Sequence, residues 1–173
     1  MSITIRRARR DDAAALPAIE RSAGEAFRSL PALSWIADDG VMPADEHRRV
    51  IDEGTCWVAE GDHDGPIGFL SAQVCGRDLH IREIAVRHDR QGKGCGHSLI
   101  AQAVAYARAQ SLATVTLTTF RNVPWNAPFY ARLGFAMLAH GDLDARLSAI
   151  LEREAAHGFA PETRCAMRLP LAA

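Results

Sequence analysis

The 173-residue chain predicts one α/β domain of the α+β type with a mixed sheet. Short apolar runs, two of them in alternation, succeed one another from Thr55 to Val86, as consecutive strands do. A Gly-rich loop and a long amphipathic stretch come next, and further strand-like runs follow at residues 115–120 and 135–138. Strands in succession followed by crossover helices call for both antiparallel and parallel neighbours. A content of 48% hydrophobic and 24% charged residues is ordinary for a globular chain, and the length suffices for one sizeable core. No internal repeat or linker marks a boundary, so residues 1–173 are expected to form a single domain.

Taken in order, Ile3 and Ile5 around Thr4 open with a strand. Asp11 or Asp12 is expected to cap a helix with Ala15, Leu16, Ile19, Ala23 and Phe27 on one face. Residues 27–40 break that pattern at Pro31 and end in Asp38, Asp39 and Gly40, which reads as a loop carrying Trp35. Residues 43–53 form a short helix with Pro43 near its first turn. The runs CWVAE and PIGFLSAQVC flank GDHDG, where Asp64 and Gly65 tolerate the positive φ of a hairpin. A third run, LHIREIAV, leads into the glycines. Beyond them, Leu99, Ile100, Ala103, Val104 and Ala107 make one face of a helix. Near the end, residues 143–157 read as an amphipathic helix with Leu143, Leu147, Ile150 and Leu151 on one side, stopped by Gly158; residues 164–169 supply the last strand.

Net charge is -1, so the chain carries no overall pull toward nucleic acid or anionic membrane. The cluster RRARR at residues 6–10 merges with a strand and reads as a solvated face. No apolar run approaches the roughly 18 residues of a membrane span, and the start of the chain lacks the apolar core of a signal peptide. No nucleic-acid or membrane partner is expected, and the expected location is cytoplasmic. Cys56, Cys75, Cys95 and Cys165 show no CxxC pairing, which argues for reduced thiols and against a metal site. Cys95 sits at a helix start, where a thiol pKa can fall, although small-residue filling suits it better.

The chemistry concentrates in residues 81–100, IREIAVRHDRQGKGCGHSLI, whose order is strand, polar loop, helix. Gly92, Gly94 and Gly96 let the backbone approach a ligand and offer it N–H groups, while the positive end of the following helix faces the loop. A phosphate group suits that position. A P-loop would require Ser or Thr after the lysine, but Lys93 precedes Gly94; a dinucleotide loop would require GxGxxG, and the spacing here is GxGxG.

Gln91, Gly94 and Gly96, placed between a strand and a helix, resemble the pyrophosphate loop of the GNAT superfamily of N-acetyltransferases. Downstream, the strand-like ATVTLTTF followed by NAPFYARLGF is similar to that family's helix carrying a tyrosine ahead of a Leu-Gly-Phe ending. The resemblance covers roughly residues 1–140. It implies a mixed, mostly antiparallel sheet of six to seven strands flanked by helices and splayed between the fourth and fifth. It also implies acetyl-CoA as acyl donor, bound in that wedge, and direct acetyl transfer to a primary amine of a small molecule or protein. The alternative is a non-catalytic acyl-CoA-binding sensor or regulatory domain.

Carried over residue by residue, the resemblance implies that Ile84, Ala85 and Val86 hold the pantetheine arm by main-chain bonds, with Val86 or a neighbour facing the acetyl oxygen. Gln91, Gly92, Lys93, Gly94, Cys95, Gly96, His97 and Ser98 surround the phosphates. Tyr130 matches the tyrosine that protonates the departing sulfur and is also counted among the cofactor contacts. Asn126, one turn before it, or Asn122 binds the pantetheine amide. Glu83 is favoured as base, with His80 second and water a third possibility. A histidine has the better unperturbed pKa, but Glu83 is nearer the expected reaction centre. Phe27, Trp35, Asp38 with Asp39, and Trp125 are the acceptor candidates, the two carboxylates favouring a cationic small molecule. The helix at 143–157 departs from the hairpin loop many members have there, and a homodimer is possible through the open sheet edge.

Overall fold

Apolar alternation and Pro and Gly punctuation settle most of the elements in a computed structural model that describes residues 3–172. In chain order they are β1 (Ile3–Arg7), α1 (Leu16–Gly24), α2 (Ala44–Asp52), β2 (Cys56–Gly61), β3 (Gly65–Cys75), β4 (Asp78–Val86), α3 (Cys95–Ala109), β5 (Thr114–Phe120), α4 (Ala127–Arg132), β6 (Ala136–Met137), α5 (Ala145–His157) and β7 (Arg164–Pro170). The strands form one seven-stranded sheet in the order β1-β2-β3-β4-β5-β7-β6. The pairs β1–β2, β2–β3, β5–β7 and β7–β6 are antiparallel, and β4–β5 is parallel. The expected mixed, mostly antiparallel sheet is thus the observed one. Two compact units divide the chain. The first takes the residues up to Gln73 with Arg82–Tyr106, and the second takes Val74–Ile81 with the residues from Ala107 onward.

In the first unit, Leu16 and Ile19 of α1 and Val50 and Ile51 of α2 join Cys56, Val58, Phe69 and Ala85 of the strands in one apolar cluster. The hairpin pairs Gly61 with Gly65 across three residues, and Gly65 takes a φ of +62°, as its turn requires. Asp12 does not cap a helix as N-cap. It lies in a 3-10 turn, Arg10–Ala14, and α1 starts after Ala15 with Pro17 in its first turn. The carboxylate accepts both terminal nitrogens of Arg6 at 2.8 and 2.9 Å and the Arg9 N–H at 2.6 Å, and that demand sets its position. Residues 27–40 are not loop either. Glu25–Ser29 and Pro31–Asp38 are 3-10 helices, since Pro31 presets the φ of a first turn and its missing N–H costs nothing there.

In the basic cluster at 6–10, Arg7, Arg9 and Arg10 are exposed, as a solvated face requires, while Arg6 is half-buried and tied into the fold. Arg6 joins Asp12 and Glu60, the Arg7 guanidinium lies 4.7 Å from the ring centres of both Trp57 and Tyr106, and Arg10 meets Asp52 at 3.5 Å.

In the second unit, β5 and β7 register from Thr114 with Pro170 to Phe120 with Arg164. The parallel ladder pairs Asp78, Leu79 and His80 with Thr114, Val115 and Thr116. Leu143 precedes α5 instead of joining it, because Asp144 is the N-cap and accepts the Leu147 N–H at 2.8 Å. Gly158, at φ +120°, ends the helix. Polar ties then fix α5. Glu154 receives Arg164 at 2.9 and 3.0 Å and the Thr118 hydroxyl, and Arg146 reaches Asp78 at 3.0 Å.

Asp12→Asn keeps the side-chain shape and removes the charge, leaving the Arg6 guanidinium, itself 19% exposed, short of a partner. Urea unfolding at neutral pH is expected to show a loss of about 2 kcal/mol. The Asp12 carboxyl is held below its usual 3.8, chiefly by the Arg6 hydrogen bonds. Its contribution is therefore complete above that value and fades as the pH falls through the lower native one. The gap between variant and wild type should close on acidification; a gap that persists in strong acid contradicts the account.

Candidate active site

The glycine loop belongs to the first unit, and its geometry follows from how β4 ends. Gly68 on β3 has no room for a side chain: a Cβ there would lie 3.0 Å from the Ala85 carbonyl oxygen, 3.1 Å from Cys95 Sγ and 3.2 Å from Val86 Cγ2. The close approach lets the end of β4 and the start of α3 pack on the same point of β3. Sequence reasoning passed over Gly68; the signal was a glycine inside a strand pattern, which marks close backbone approach. Gln91 donates from Nε2 to the Val86 carbonyl at 3.0 Å and to the Ala23 carbonyl at 3.5 Å, so its side chain ties the loop to β4 and α1.

Gly92 and Gly94 take φ values of +73° and +83°, and nothing lies within 4 Å of where a Cβ would stand on either. Backbone conformation, not crowding, demands glycine at these two positions, and the face they present is open. Gly96 differs, lying in the first turn of α3 outside the left-handed region. The Gly94 carbonyl accepts the Ser98 N–H at 3.0 Å and its hydroxyl at 3.2 Å, while Lys93 Nζ donates to the Asp89 carbonyl at 3.1 Å. An α-helix leaves its first N–H groups without intrahelical acceptors, which here concerns Cys95, Gly96 and His97. The 15 residues of α3 add their dipole at that end.

Cys95 fills the space beneath the loop, the role that suits its small side chain better than reactivity. Its thiol is 2% exposed, and burial pushes its pKa up to about 11 rather than down. Desolvation outweighs the helix end because the sulfur points beneath the loop, toward Gly68, where no water solvates a thiolate.

The remaining first-unit candidates are spread over β4 and the 3-10 segments. Glu83 is half-buried on β4 next to Ile84, with Ala85 buried and Val86 half-buried. Phe27 is half-buried, and Trp35 is exposed. Asp38 is exposed, and its carboxylate is taken by Arg28 at 2.8 and 3.1 Å, which lowers its pKa. Arg28 also holds Glu25. Asp39 accepts the Gly40 N–H at 2.8 Å. Of the two carboxylates read as favouring a cationic acceptor, Asp38 is thus already paired with Arg28.

In the second unit, His80 is 7% exposed and its Nδ1 lies 2.9 Å from Thr116 Oγ1. The same oxygen accepts Arg146 at 3.4 Å, and Arg146 is bound to Asp78, which also accepts the Thr114 hydroxyl. Tyr130 is 5% exposed in α4, edge-on to Phe129 at 5.2 Å and Phe135 at 5.9 Å. Gly134, at φ +94°, turns the chain so that the Tyr130 carbonyl accepts the Phe135 N–H at 3.2 Å. Asn126 stands one turn ahead of Tyr130, at the N-terminal cap of α4. It is the residue before α4, its carbonyl accepts the Tyr130 N–H at 3.1 Å, and its buried Oδ1 accepts no hydrogen bond from the described residues. Asn122 and Trp125 are exposed. Among the described residues no group of three or more His, Cys, Asp or Glu could hold a metal ion, and no helix is long and apolar enough to cross a membrane.

Residues 52–137 match the family described as acetyltransferase (GNAT) domain. Over 144 residues the chain is 26% identical to the peptidyl-lysine N-acetyltransferase YjaB of Salmonella typhimurium, a similarity covering 83% of this chain and 90% of that protein. Its fold is similar to that of the PaiA N-acetyltransferase from Thermoplasma acidophilum in complex with coenzyme A, with a TM-score of 0.71 and 17% identity over 99% of this chain and 100% of that one. The ribosomal-protein-S18-alanine N-acetyltransferase from Escherichia coli superposes with a TM-score of 0.70 and 16% identity over 99% and 96% of the two chains. The glycine loop after β4 and the Tyr130 helix both lie within the matched stretch, and the chain belongs to the GNAT superfamily of acetyltransferases.

Proposed function

We propose that this protein transfers an acetyl group from acetyl-CoA directly to a primary amine, and that the amine is a lysine side chain of a peptide or protein. The observation that carries the donor is the loop between β4 and α3, with two left-handed glycines, an open face and a helix N-terminus behind it. These are features that suit a pyrophosphate. The acceptor rests on the similarity to a peptidyl-lysine N-acetyltransferase.

Acetyl-CoA supplies the activated acetyl thioester; the chain supplies grip, polarisation and proton movement. Backbone N–H groups from Gly92 to Ser98 hold the phosphate oxygens. The end of β4, Ile84 to Val86, offers main-chain groups to the pantetheine arm, with the Val86 N–H toward the acetyl oxygen. Gln91 acts by pinning the Val86 carbonyl rather than by touching phosphate. Asn126 Oδ1 accepts from an amide of the arm, which answers its unmet demand. Tyr130 delivers a proton to the leaving sulfur. Glu83 takes the proton from the incoming ammonium, while His80 is held through Thr116. A buried thiol with a pKa of about 11 makes a poor acyl carrier, which supports direct transfer.

Release of CoA from acetyl-CoA, followed against lysine-containing peptides and free amines, tests the reading. Peptide-dependent turnover is expected, about 10²-fold slower in kcat for Tyr130→Phe with acetyl-CoA binding retained. Gly94→Trp should abolish acetyl-CoA binding, because the left-handed backbone strains any side chain there. Donor binding without turnover of any amine would refute the enzyme reading, and absence of donor binding would refute the site.

The base assignment has its own outcome. Glu83→Gln should cost 10²-fold or more in kcat/KM and remove the acidic limb of the pH profile, roughly the range expected for a lost general base. His80→Gln should cost only a few-fold. The reverse pattern transfers the role to His80. Intact-mass analysis after incubation with acetyl-CoA alone should show no acetyl group on the protein; one on Cys95 would overturn direct transfer.

A further inference from the structure

The second unit contains a pocket of about 320 Å³ that the acetyl-transfer chemistry above does not use. One wall is α5, the helix by which this chain departs from a simple hairpin before its last strand; the opposite wall is the start of β7 and the residue after β5. Leu138, Leu143, Leu151, Ala155 and Pro161 make its surface largely apolar. Two backbone bonds frame it, from the Leu138 N–H to the Ala166 carbonyl at 2.9 Å and from the Arg121 N–H to the Thr163 carbonyl at 2.8 Å.

Its cations differ in what they already hold. Arg164 is neutralised by Glu154, and its guanidinium lies 4.4 Å from the Phe120 ring centre and 5.0 Å from that of Phe159. Arg121 donates from Nε to the Arg164 carbonyl at 2.8 Å and from a terminal nitrogen to Met137 Sδ at 2.8 Å, and among the described residues it has no carboxylate. A carbonyl and a thioether fix the orientation of a guanidinium without balancing its charge, and a thioether is a weak acceptor. Three of its five N–H donors remain. An oriented, half-buried, unneutralised guanidinium at an apolar hollow is a carboxylate site by geometry and charge. A single negative charge suits the hollow, because Arg164 is already paired and the exposed Glu152 on the lining disfavours more.

We propose that this pocket binds a free small carboxylic acid with an apolar tail, its carboxylate on Arg121 and its tail against the leucines. The volume sets the size at on the order of ten non-hydrogen atoms, taking the room a water molecule occupies in the liquid as the unit. A carboxylate on a chain of about six carbons fits that limit.

Calorimetric titration of the full chain with hexanoate, 4-methylpentanoate, 1-hexanol and hexylamine, in the absence of acetyl-CoA, tests this without any activity readout. Both carboxylates should bind saturably, and hexanol and hexylamine at least tenfold more weakly, since each lacks the charge-assisted bonds to Arg121. Arg121→Gln should weaken hexanoate tenfold or more. Because that variant also loses a bond to the Arg164 carbonyl, Ser148→Phe provides a second one, filling the hollow from α5 with Arg121 intact; it too should abolish binding. Retained acetyl-CoA binding shows that either variant is folded. Absence of hexanoate binding, equal binding of hexanol, or an unchanged affinity in either folded variant overturns the proposal. A Gly-Gly-Leu peptide that binds tenfold more tightly than hexanoate would overturn the free-acid assignment in favour of a peptide C-terminus. Since the measurement is made without donor or amine, its failure leaves the acetyl-transfer reading untouched, and the converse holds.

Discussion

The bond from Gln91 to the Val86 carbonyl fixes where β4 stops and the loop begins, and the rest of the glycine turn depends on it. A strand that ends without a partner frays by a residue or two. Here the last carbonyl is taken by a side chain from the loop itself, and the next N–H, that of Arg87, goes to the Ile67 carbonyl at 2.9 Å. With both groups engaged, the backbone must turn at once, and Gly92 and Gly94 absorb the turn in conformations that cost an L side chain roughly 1–2 kcal/mol each. The glycines and the glutamine are thus one device. The first lets the chain bend, and the second decides where.

Close packing under that turn also explains why Cys95 behaves unlike a helix-end thiol. The attraction of a helix N-terminus for an anion amounts to about 0.3–1 kcal/mol for an exposed group. Burial of a thiolate without solvent or cation costs more, and the sulfur sits where Gly68 has made room. The helix end is left to serve whatever lies on the open face, through backbone N–H groups. Gly68, Cys95 and the loop glycines divide the requirement between filling the inside and freeing the outside.

Regular elements and the glycine loop were legible in the sequence because each rests on a local rule. Alternation marks β2 and β3, i, i+4 spacing marks α3, and Asp64-Gly65 marks the hairpin. The structure differs from these local rules where a side-chain partner or a proline sets the backbone. Asp12 has the chemistry of an N-cap, but Arg6, on the neighbouring strand, and Glu60, from β2, define its place instead. Pro31 looked like an interruption, yet it opens a 3-10 helix. Asp38 looked available for a cation, and Arg28, ten residues away, had already taken it. Arg146 escaped notice altogether, because its contacts with Asp78 and Thr116 join α5 to strands 68 and 30 residues earlier, which no window of sequence connects.

Many charged groups among the described residues are paired with one another, and that changes what the remaining polar groups mean. Arg6, Arg28, Arg146 and Arg164 each have a carboxylate, so their charge stabilises the fold and is unavailable to a ligand. Against this background an unmet demand is informative only where a ligand could meet it. His47 is fully buried against Phe69 at 5.1 Å, with Glu20 3.6 Å from its Nε2. No small molecule reaches it, and packing explains its place. Asn126 differs in being half-buried at the start of α4, one turn from Tyr130, with an oxygen that no described group satisfies. Leaving a buried acceptor unpaired costs about 1–3 kcal/mol. On the proposed reading an amide of the pantetheine arm meets that demand, and the cost recovered on binding adds to the grip on the donor.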